Sequence, residues 1–443
     1  MKRGGSRVSL ADPHFVLLAG FGLALWLSQA QPALAHAEKV RADPPDLCGA
    51  GAPPPLPNGD PRCRQGLILS SAPGSVSIWF SEAVTPVGHG ILVLSPSGQP
   101  IEQGTARAVG SELQVPINAT ALGTYLVSWQ VISDDTHPVR GWYVFSVGHV
   151  STVPTAAVAP ADIGAVWPPA FLLMVLAHWL HFAGYALAFG PFAFRRFVWH
   201  AAGGDEATLR PWFDGLLNTG IIAMIVAGPL AVIAQIVSFG AAALGDPDIV
   251  GAVFGSRFGE IVGMQVGAAL LLWMLTGLDP EQPSRLAPAC LALGLAVAIA
   301  DSEASHAAGA ALAVATQALH IASMAAWLGG LVGLLGVWRR TSDDHHANLL
   351  ARFGKLAMLS LAVMALTGAI LAWLRFPQPA SVVHSAYGLA FLAKMAATVG
   401  AITLAAIALQ RRTERAGLWR LEAGALALAL ALAGVLASLP PPR

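Results

Sequence analysis

A β-sandwich or small Greek-key barrel, followed by an all-α polytopic membrane domain of about eight transmembrane helices, is the architecture this sequence predicts. Three observations carry it. Apolar residues make up 55% of the chain and charged residues only 11%, against about a quarter charged in soluble domains, so much of the chain faces lipid or lies between lipid-facing helices. The apolar residues are unevenly spread: residues 36–150 read as a water-soluble domain and residues 167–439 as serial apolar runs. Within the soluble part, short alternating segments are split by turn clusters, which is how strands of a sandwich or barrel read. The formal net charge is zero, so no nucleic-acid or polyanion partner is implied.

The amino terminus reads as an export signal. Lys2, Arg3 and Arg7 form a basic start, an apolar core follows over residues 15–27, and Ala33-Leu34-Ala35 supplies the small-x-small pattern of a cleavage site. Cleavage there makes residues 1–35 the signal peptide and leaves His36 first; a rival cut after Ala37 removes His36 altogether. Either way the next domain lies outside the cytoplasm. Cys48 and Cys63 fall in that exported segment on either side of a Pro- and Gly-rich loop. In an oxidising compartment a disulfide is the first reading there and a soft metal site the second. Cys290 sits inside an apolar run and reads as a packing residue.

Strands are predicted over residues 76–80, 90–94, 113–117, 125–132 and 141–147. The stretch 151–166, with Pro154 and Pro160 among small residues, reads as the linker. Between the last two strands, Asp135 and His137 are two apart, so in an extended segment both leave the same face. A carboxylate and an imidazole so placed can share a divalent cation, and the same spacing also suits a plain hydrogen bond at a turn. A free N-terminal His36 adds an α-amine and an imidazole as one chelate. The combined nitrogen and oxygen donors of His36, Asp135 and His137 suit Cu(II) in a tetragonal arrangement. His89 and His149 read as surface histidines.

Eight apolar runs are near the length of about 20 residues that a membrane helix needs: residues 168–193, 216–240, 258–278, 286–302, 309–337, 354–374, 385–409 and 419–438. If the exported domain puts the first run's start outside, the loops after the odd-numbered helices are cytoplasmic. They carry Arg195, Arg196, Arg285, Arg339, Arg340, Arg411 and Arg412 among others, while the opposite side holds only Arg257, Arg375 and Arg443. That asymmetry follows the positive-inside rule. Polar residues inside the runs are costly in lipid and face a bundle interior. His178 and His181 share a helix face in the first run, His320 lies at similar depth in the fifth, and Lys394 lies inside the seventh. Asp301, Glu303 and His306 fall just outside the membrane before the fifth. Met174, Met224, Met264 and Met324 are possible soft donors that also read as packing residues.

Two resemblances add to this. The mature start His36-Ala37, the strand end Phe80-Ser81-Glu82-Ala83-Val84 and the block over residues 129–147 with Asp135-Thr136-His137-Pro138 resemble the CopC family of periplasmic copper-binding proteins. That resemblance implies His36, Asp135 and His137 as Cu(II) ligands, with Glu82 beside the site. The segment 46–64 departs from it as an insertion. No Met occurs between residues 2 and 173, so no methionine-built Cu(I) site is expected in the exported domain. Further on, Ser305-His306-Ala307-Ala308-Gly309, His320 with Trp327-Leu328-Gly329-Gly330-Leu331, Arg352-Phe353 and Tyr387-Gly388 with Lys394 resemble the CopD family of copper-resistance and copper-uptake membrane proteins. That implies His306 and His320 as copper-path residues, then His178, then His181.

The expectation is a non-enzymatic, multi-pass protein of the inner membrane with its N-terminal domain in the periplasm. It binds copper there and passes it to a membrane domain that imports it, in an oxidation state the sequence leaves open. Its partners are the copper ion, the bilayer and, as candidates, other periplasmic copper carriers. Sequestration without net uptake, and b-haem electron transfer with His178 or His181 opposite His320, are the alternatives. Asp135 would fill an equatorial copper position, which leaves little room for oxygen chemistry. Sequencing of the mature N-terminus is expected to read His36-Ala37-Glu38; a start at Glu38 removes the chelate.

Overall fold

The computed structural model describes residues 37–47, 66–134, 136–152, 168–278, 287–303, 305, 310–338, 340–341, 343–376, 378–410, 415–439 and 441–442. The signal segment, His36, Cys48, Cys63, Asp135, most of the linker and His306 lie outside the described residues.

The N-terminal part is a β-sandwich. Its strands are β1 (Lys39–Asp43), β2 (Leu67–Leu69), β3 (Ser75–Phe80), β4 (Val84–Leu94), β5 (Arg107–Val109), β6 (Glu112–Pro116), β7 (Gly123–Ser133) and β8 (Pro138–Val147). They form two four-stranded sheets, ordered β1-β3-β6-β5 and β2-β8-β7-β4. Alternation explains the core: Val76, Ile78, Leu113, Val115, Val127, Trp129 and Val131 all point between the sheets and are buried. All five predicted strands are present. β1, β2 and β5 fall outside the five predicted strands: β2 and β5 have only three residues each, too few to show alternation, and β1 reads Lys-Val-Arg-Ala-Asp and buries only Ala42. β4 starts earlier than expected, since its pairing with β7 slips between Pro86 and Ile91. Gly90 at that slip has φ +69°, and a Cβ there would lie 2.8 Å from Pro86 Cβ, so the bulge requires glycine.

The C-terminal part is all helical among the described residues: α1 (Pro168–Phe194), α2 (Glu206–Ser238), α3 (Pro247–Gly255), α4 (Arg257–Leu278), α5 (Ala287–Glu303), α6 (Ala311–Trp338), α7 (Asp343–Arg375), α8 (Ser381–His384), α9 (Ala386–Gln410) and α10 (Arg415–Ser438). The eight predicted runs correspond to α1, α2, α4, α5, α6, α7, α9 and α10. Seven of these are long and apolar enough to cross a membrane. The exception, α5, has 17 described residues, or about 25 Å at 1.5 Å per residue. It nevertheless returns the chain to the end from which α4 departs, because Arg257 at the start of α4 bonds Glu303 at the end of α5 at 2.6 Å.

α1 is the hub of the bundle, and it packs through glycine. A Cβ on Gly184 would sit 2.8 Å from the Gly220 carbonyl of α2, one on Gly190 2.2 Å from the Ala325 carbonyl of α6, and one on Gly434 of α10 3.0 Å from the Val175 carbonyl. Close backbone approach at small residues is how helices associate where lipid offers no hydrophobic drive. Gly190→Ala therefore forces α1 and α6 apart and is expected to cost about 1–3 kcal/mol. Thermal unfolding in detergent would read this as a lowered midpoint, with Gly400→Ala, whose Cβ meets nothing within 4 Å, left near wild type.

Candidate metal centre

The β7–β8 hairpin carries the metal-binding candidates of the exported domain. Its turn is held by Ser133, whose backbone N–H donates to the His137 carbonyl at 3.0 Å and whose Oγ donates to the same carbonyl at 3.1 Å. Thr136 is forced to φ 75°, which is strained for a β-branched residue. The Thr136 N–H donates to the Ser133 carbonyl at 2.9 Å.

A second strand of contacts brings the start of the domain to the same rim. Glu38 N–H donates to Ser81 Oγ at 2.9 Å, and Ser81 N–H returns to the Glu38 carbonyl at 2.8 Å. Two residues on, the Ala83 carbonyl accepts from Asp134 N–H at 3.0 Å. The segment over residues 81–83, with Glu82 at its middle, therefore ties Ala37-Glu38 to the hairpin. Immediately beyond, Lys39 pairs with Asp46 and lies over the Trp129 and Tyr143 rings at 5.3 and 5.2 Å. Burial pulls its ammonium down to about 8. This contact anchors the near end of the inserted segment.

The hairpin docks on one end of the helix bundle. Val87 and Ile132 of the sandwich are each 1% exposed and share an apolar cluster with Val232, Ile236, Val253, Phe258 and Val262. Gln235 of α2 donates its amide N–H to the Thr136 carbonyl at 2.9 Å. Arg257 reaches Asp134 at 2.8 Å and Glu303 at 2.6 Å. His137 donates Nε2–H to the Ala437 carbonyl of α10 at 3.1 Å.

At this junction lies a cavity of about 50 Å³ lined by His137, Met174, His178, Gln235, Ser238 and Ser438 among others. His178 Nδ1 is 3.0 Å from Ser438 Oγ, and the Ser438 hydroxyl itself donates to the Gly434 carbonyl at 2.8 Å. With the hydroxyl proton so committed, Nδ1 of His178 is the donor and Nε2 carries the lone pair. One turn deeper, His181 donates Nε2–H to Asp301 at 3.0 Å, and Gln265 donates to the same carboxylate at 2.7 Å. His181 and Asp301 are each 6% exposed. Asp301 was expected just outside the membrane. It lies instead in the last turns of α5, inside the bundle, because a buried imidazole and amide satisfy it there.

His181 and His320 do share a depth. Each lies nine residues before the glycine, Gly190 or Gly329, at which α1 and α6 touch. Yet they turn to different neighbours. His320 Nδ1 donates to Thr367 Oγ1 of α7 at 3.0 Å, while that hydroxyl donates to the Val363 carbonyl at 2.6 Å. The charged groups that act on the histidines differ as well: Lys394 and Arg375 on His320, Asp301 on His178. His181 and His320, expected to share one station, thus have different bonding partners, on α5 and on α7. Among the described residues no three His, Cys, Asp or Glu side chains lie close enough to hold one metal ion.

Other expectations resolve into packing. Cys290 is fully buried. Met224 packs against Gly184, Met264 is exposed, and Met174 alone of the four lines the cavity. The Trp327-Leu-Gly-Gly-Leu block holds helices together: Trp327 Nε1–H donates to Glu422 of α10 at 3.2 Å, and Gly329 meets Gly190. Gln235, Arg257 and Ser438 were not singled out as functional from sequence. A lone glutamine late in an apolar run was the one signal that could have found the first.

The chain matches three families. The CopC domain covers residues 62–148, the copper resistance protein D-like N-terminal domain residues 168–312, and copper resistance protein D residues 347–439. The CopC match begins downstream of His36. Copper transport protein CutJ of Bacillus subtilis (strain 168) is 25% identical over 402 residues, spanning 84% of this chain and 72% of that protein. Copper resistance protein C of Xanthomonas campestris pv. juglandis is 34% identical over 86 residues, 17% of this chain and 68% of that protein. The crystal structure of CopC from Methylosinus trichosporium OB3b aligns at 24% identity over 25% of this chain and 93% of that one, with a TM-score of 0.19.

The docking makes a graded prediction. Ile132→Ala removes buried apolar volume and is expected to weaken docking by about 2–4 kcal/mol. Arg257→Gln breaks bridges that are a third exposed and is expected to cost no more than about 1 kcal/mol. Hydrogen–deuterium exchange of the hairpin amides should rise strongly in the first variant and slightly in the second.

Proposed function

We propose, for a chain that belongs to the CopC and CopD copper-resistance families joined in one polypeptide, that it captures copper outside the cytoplasm and hands it to a membrane domain that carries it inward. Copper is the cargo, and no chemistry on an organic substrate is involved. The observation that carries this reading is the docking of the β7–β8 hairpin, with His137 at its tip, over the end of α1 that presents His178.

Capture falls to His36, Asp135 and His137. In support, the backbone at Ala37-Glu38 is tied through Ser81 and Ala83 to the hairpin at Asp134. An α-amine, two imidazoles and a carboxylate favour Cu(II). His306 follows α5, whose end at Glu303 is bridged by Arg257 to Asp134 of the hairpin. Its sequence position, three residues beyond Glu303, is what proposes His306 for copper entry. His178 is then the first intramembrane group. His320 offers a comparable imidazole, but Lys394 and Arg375 face it, and like charge in a low-dielectric bundle opposes a copper cation. The path at His320's depth therefore favours His181, beside the carboxylate of Asp301.

An exported capture domain serves uptake better than efflux, which gives the inward direction. The domain lies in the periplasm and the helices cross the inner membrane. Sequestration of copper by the exported domain, with the helices as anchor, is the second reading, because copper resistance is what several of the relatives are named for.

A deletion strain complemented with wild type or His137→Ala separates the two. Uptake predicts cellular copper several-fold lower in the deletion and uncorrected by His137→Ala. Unchanged accumulation with greater copper sensitivity favours sequestration. His178→Ala is expected to reduce accumulation more than His320→Ala; the reverse order moves the path to α6.

A further inference from the structure

We infer that the cavity between the hairpin and the bundle is itself a copper site, specific for Cu(I), formed by the Met174 thioether and His178 Nε2 of α1 with His137 completing it from the hairpin. The site deepens the handover proposed above and rests on that reading for the source of its ion, though not for its ligands; copper captured as Cu(II) reaches it only after gaining one electron from an external low-molecular-weight thiol, two thiols forming one disulfide for every two copper ions reduced.

Four observations lead to it. First, Met174 and His178 are one helical turn apart and line the same cavity, with His137 on the opposite wall. Second, the Ser438–Gly434 hydrogen bond obliges His178 to donate from Nδ1, which leaves the Nε2 lone pair for a metal. A ligand histidine whose other nitrogen donates to a fixed acceptor is the usual arrangement around a bound ion. Third, none of the described residues lining the cavity is Asp or Glu, and much of the remaining wall is apolar, including Ala170, Phe171 and Phe258. The cost of burying an ion rises with the square of its charge, so a neutral-donor site in such walls takes a monovalent ion far more readily than a divalent one. Fourth, a thioether beside imidazole selects Cu(I) among the copper ions. A carboxylate lies one turn deeper, at Asp301, which His181 bonds at 3.0 Å.

His137 would serve both sets of ligands in turn. Its Nε2–H now donates to the Ala437 carbonyl at the cavity rim, and the ring must give up that bond to bind an ion through the same nitrogen.

The test uses the full-length protein in nanodiscs. Cu(I) is titrated under ascorbate against bicinchoninate, Cu(II) binding is followed by electron paramagnetic resonance, and the Cu(I) form is examined by X-ray absorption. Wild type should show a sulfur scatterer on Cu(I). Met174→Leu should lose that scatterer and bind Cu(I) at least about tenfold more weakly while keeping the Cu(II) signal. If Met174→Leu fails to fold, Ser438→Ala reads the same site, because freeing the His178 tautomer should cost about tenfold in Cu(I) affinity. Unchanged Cu(I) affinity and spectrum in these variants would overturn the site. Absence of a Cu(II) signal in wild type, with the Met174→Leu loss intact, would overturn the capture reading and leave the cavity site standing.

Discussion

The proposed handover of copper depends on how the β7–β8 hairpin sits on the end of the helix bundle. Magnitudes show what holds it there. Val87 and Ile132 are almost wholly buried in the junction, and burying side chains of that size is worth about 1.5–3 kcal/mol each. The Arg257 bridges are a third exposed and contribute about 1 kcal/mol or less. Apolar contact therefore supplies the adhesion. The polar contacts supply register: at the hairpin tip Gln235 bonds the carbonyl of Thr136, the residue whose backbone is strained. The strain is tolerated because both of its peptide groups are satisfied, one by Ser133 and one by Gln235.

The same economy appears inside the bundle. α1 meets α2, α6 and α10 at glycines, so its backbone lies close enough to its neighbours for short side chains to bond across. Ser438 of α10 can then hold His178, and Asp301 near the end of α5 can hold His181. A charged or hydrogen-bonding side chain in lipid is costly unless paired, and here the pairing also fixes which ring nitrogen bears a proton. His178 and His320 are both held by a hydroxyl whose own proton is committed to a carbonyl. They differ in the charged groups that act on them, Lys394 and Arg375 on His320 and Asp301 on His178.

Relatives of this chain divide along the same line as its structure. The CopC match stops at residue 148 and the CopD-related matches start at residue 168, while CutJ aligns across both. Fusion in one chain makes the docking intramolecular, so the hairpin meets the bundle at a high effective concentration. A modest interface suffices under that condition.

How much was legible in advance follows from the range of the forces concerned. Period-two alternation and runs of apolar residues are local, so the sandwich, the eight helices and their alternating direction could be read from residue order alone. The three short strands β1, β2 and β5 could not, because they are held by pairing to partners and carry little pattern of their own. Among the site residues, sequence marked His137 and His178 as chemistry-bearing but left them in separate domains. It grouped His178, His181 and His320 by depth, which is a matter of counting residues. Which way each ring turns depends on the rotation of a helix against its neighbours, set by glycine contacts spread over more than a hundred residues of chain. The sequence by itself determined the metal-loving side chains, the two architectures and the direction of the helices. Only the tertiary structure decided that the hairpin closes over α1, that His181 faces a carboxylate while His320 faces two cations, and that Met174 shares a cavity with two imidazoles. Contacts between distant segments are fixed by packing, and packing leaves no periodic trace in the order of residues.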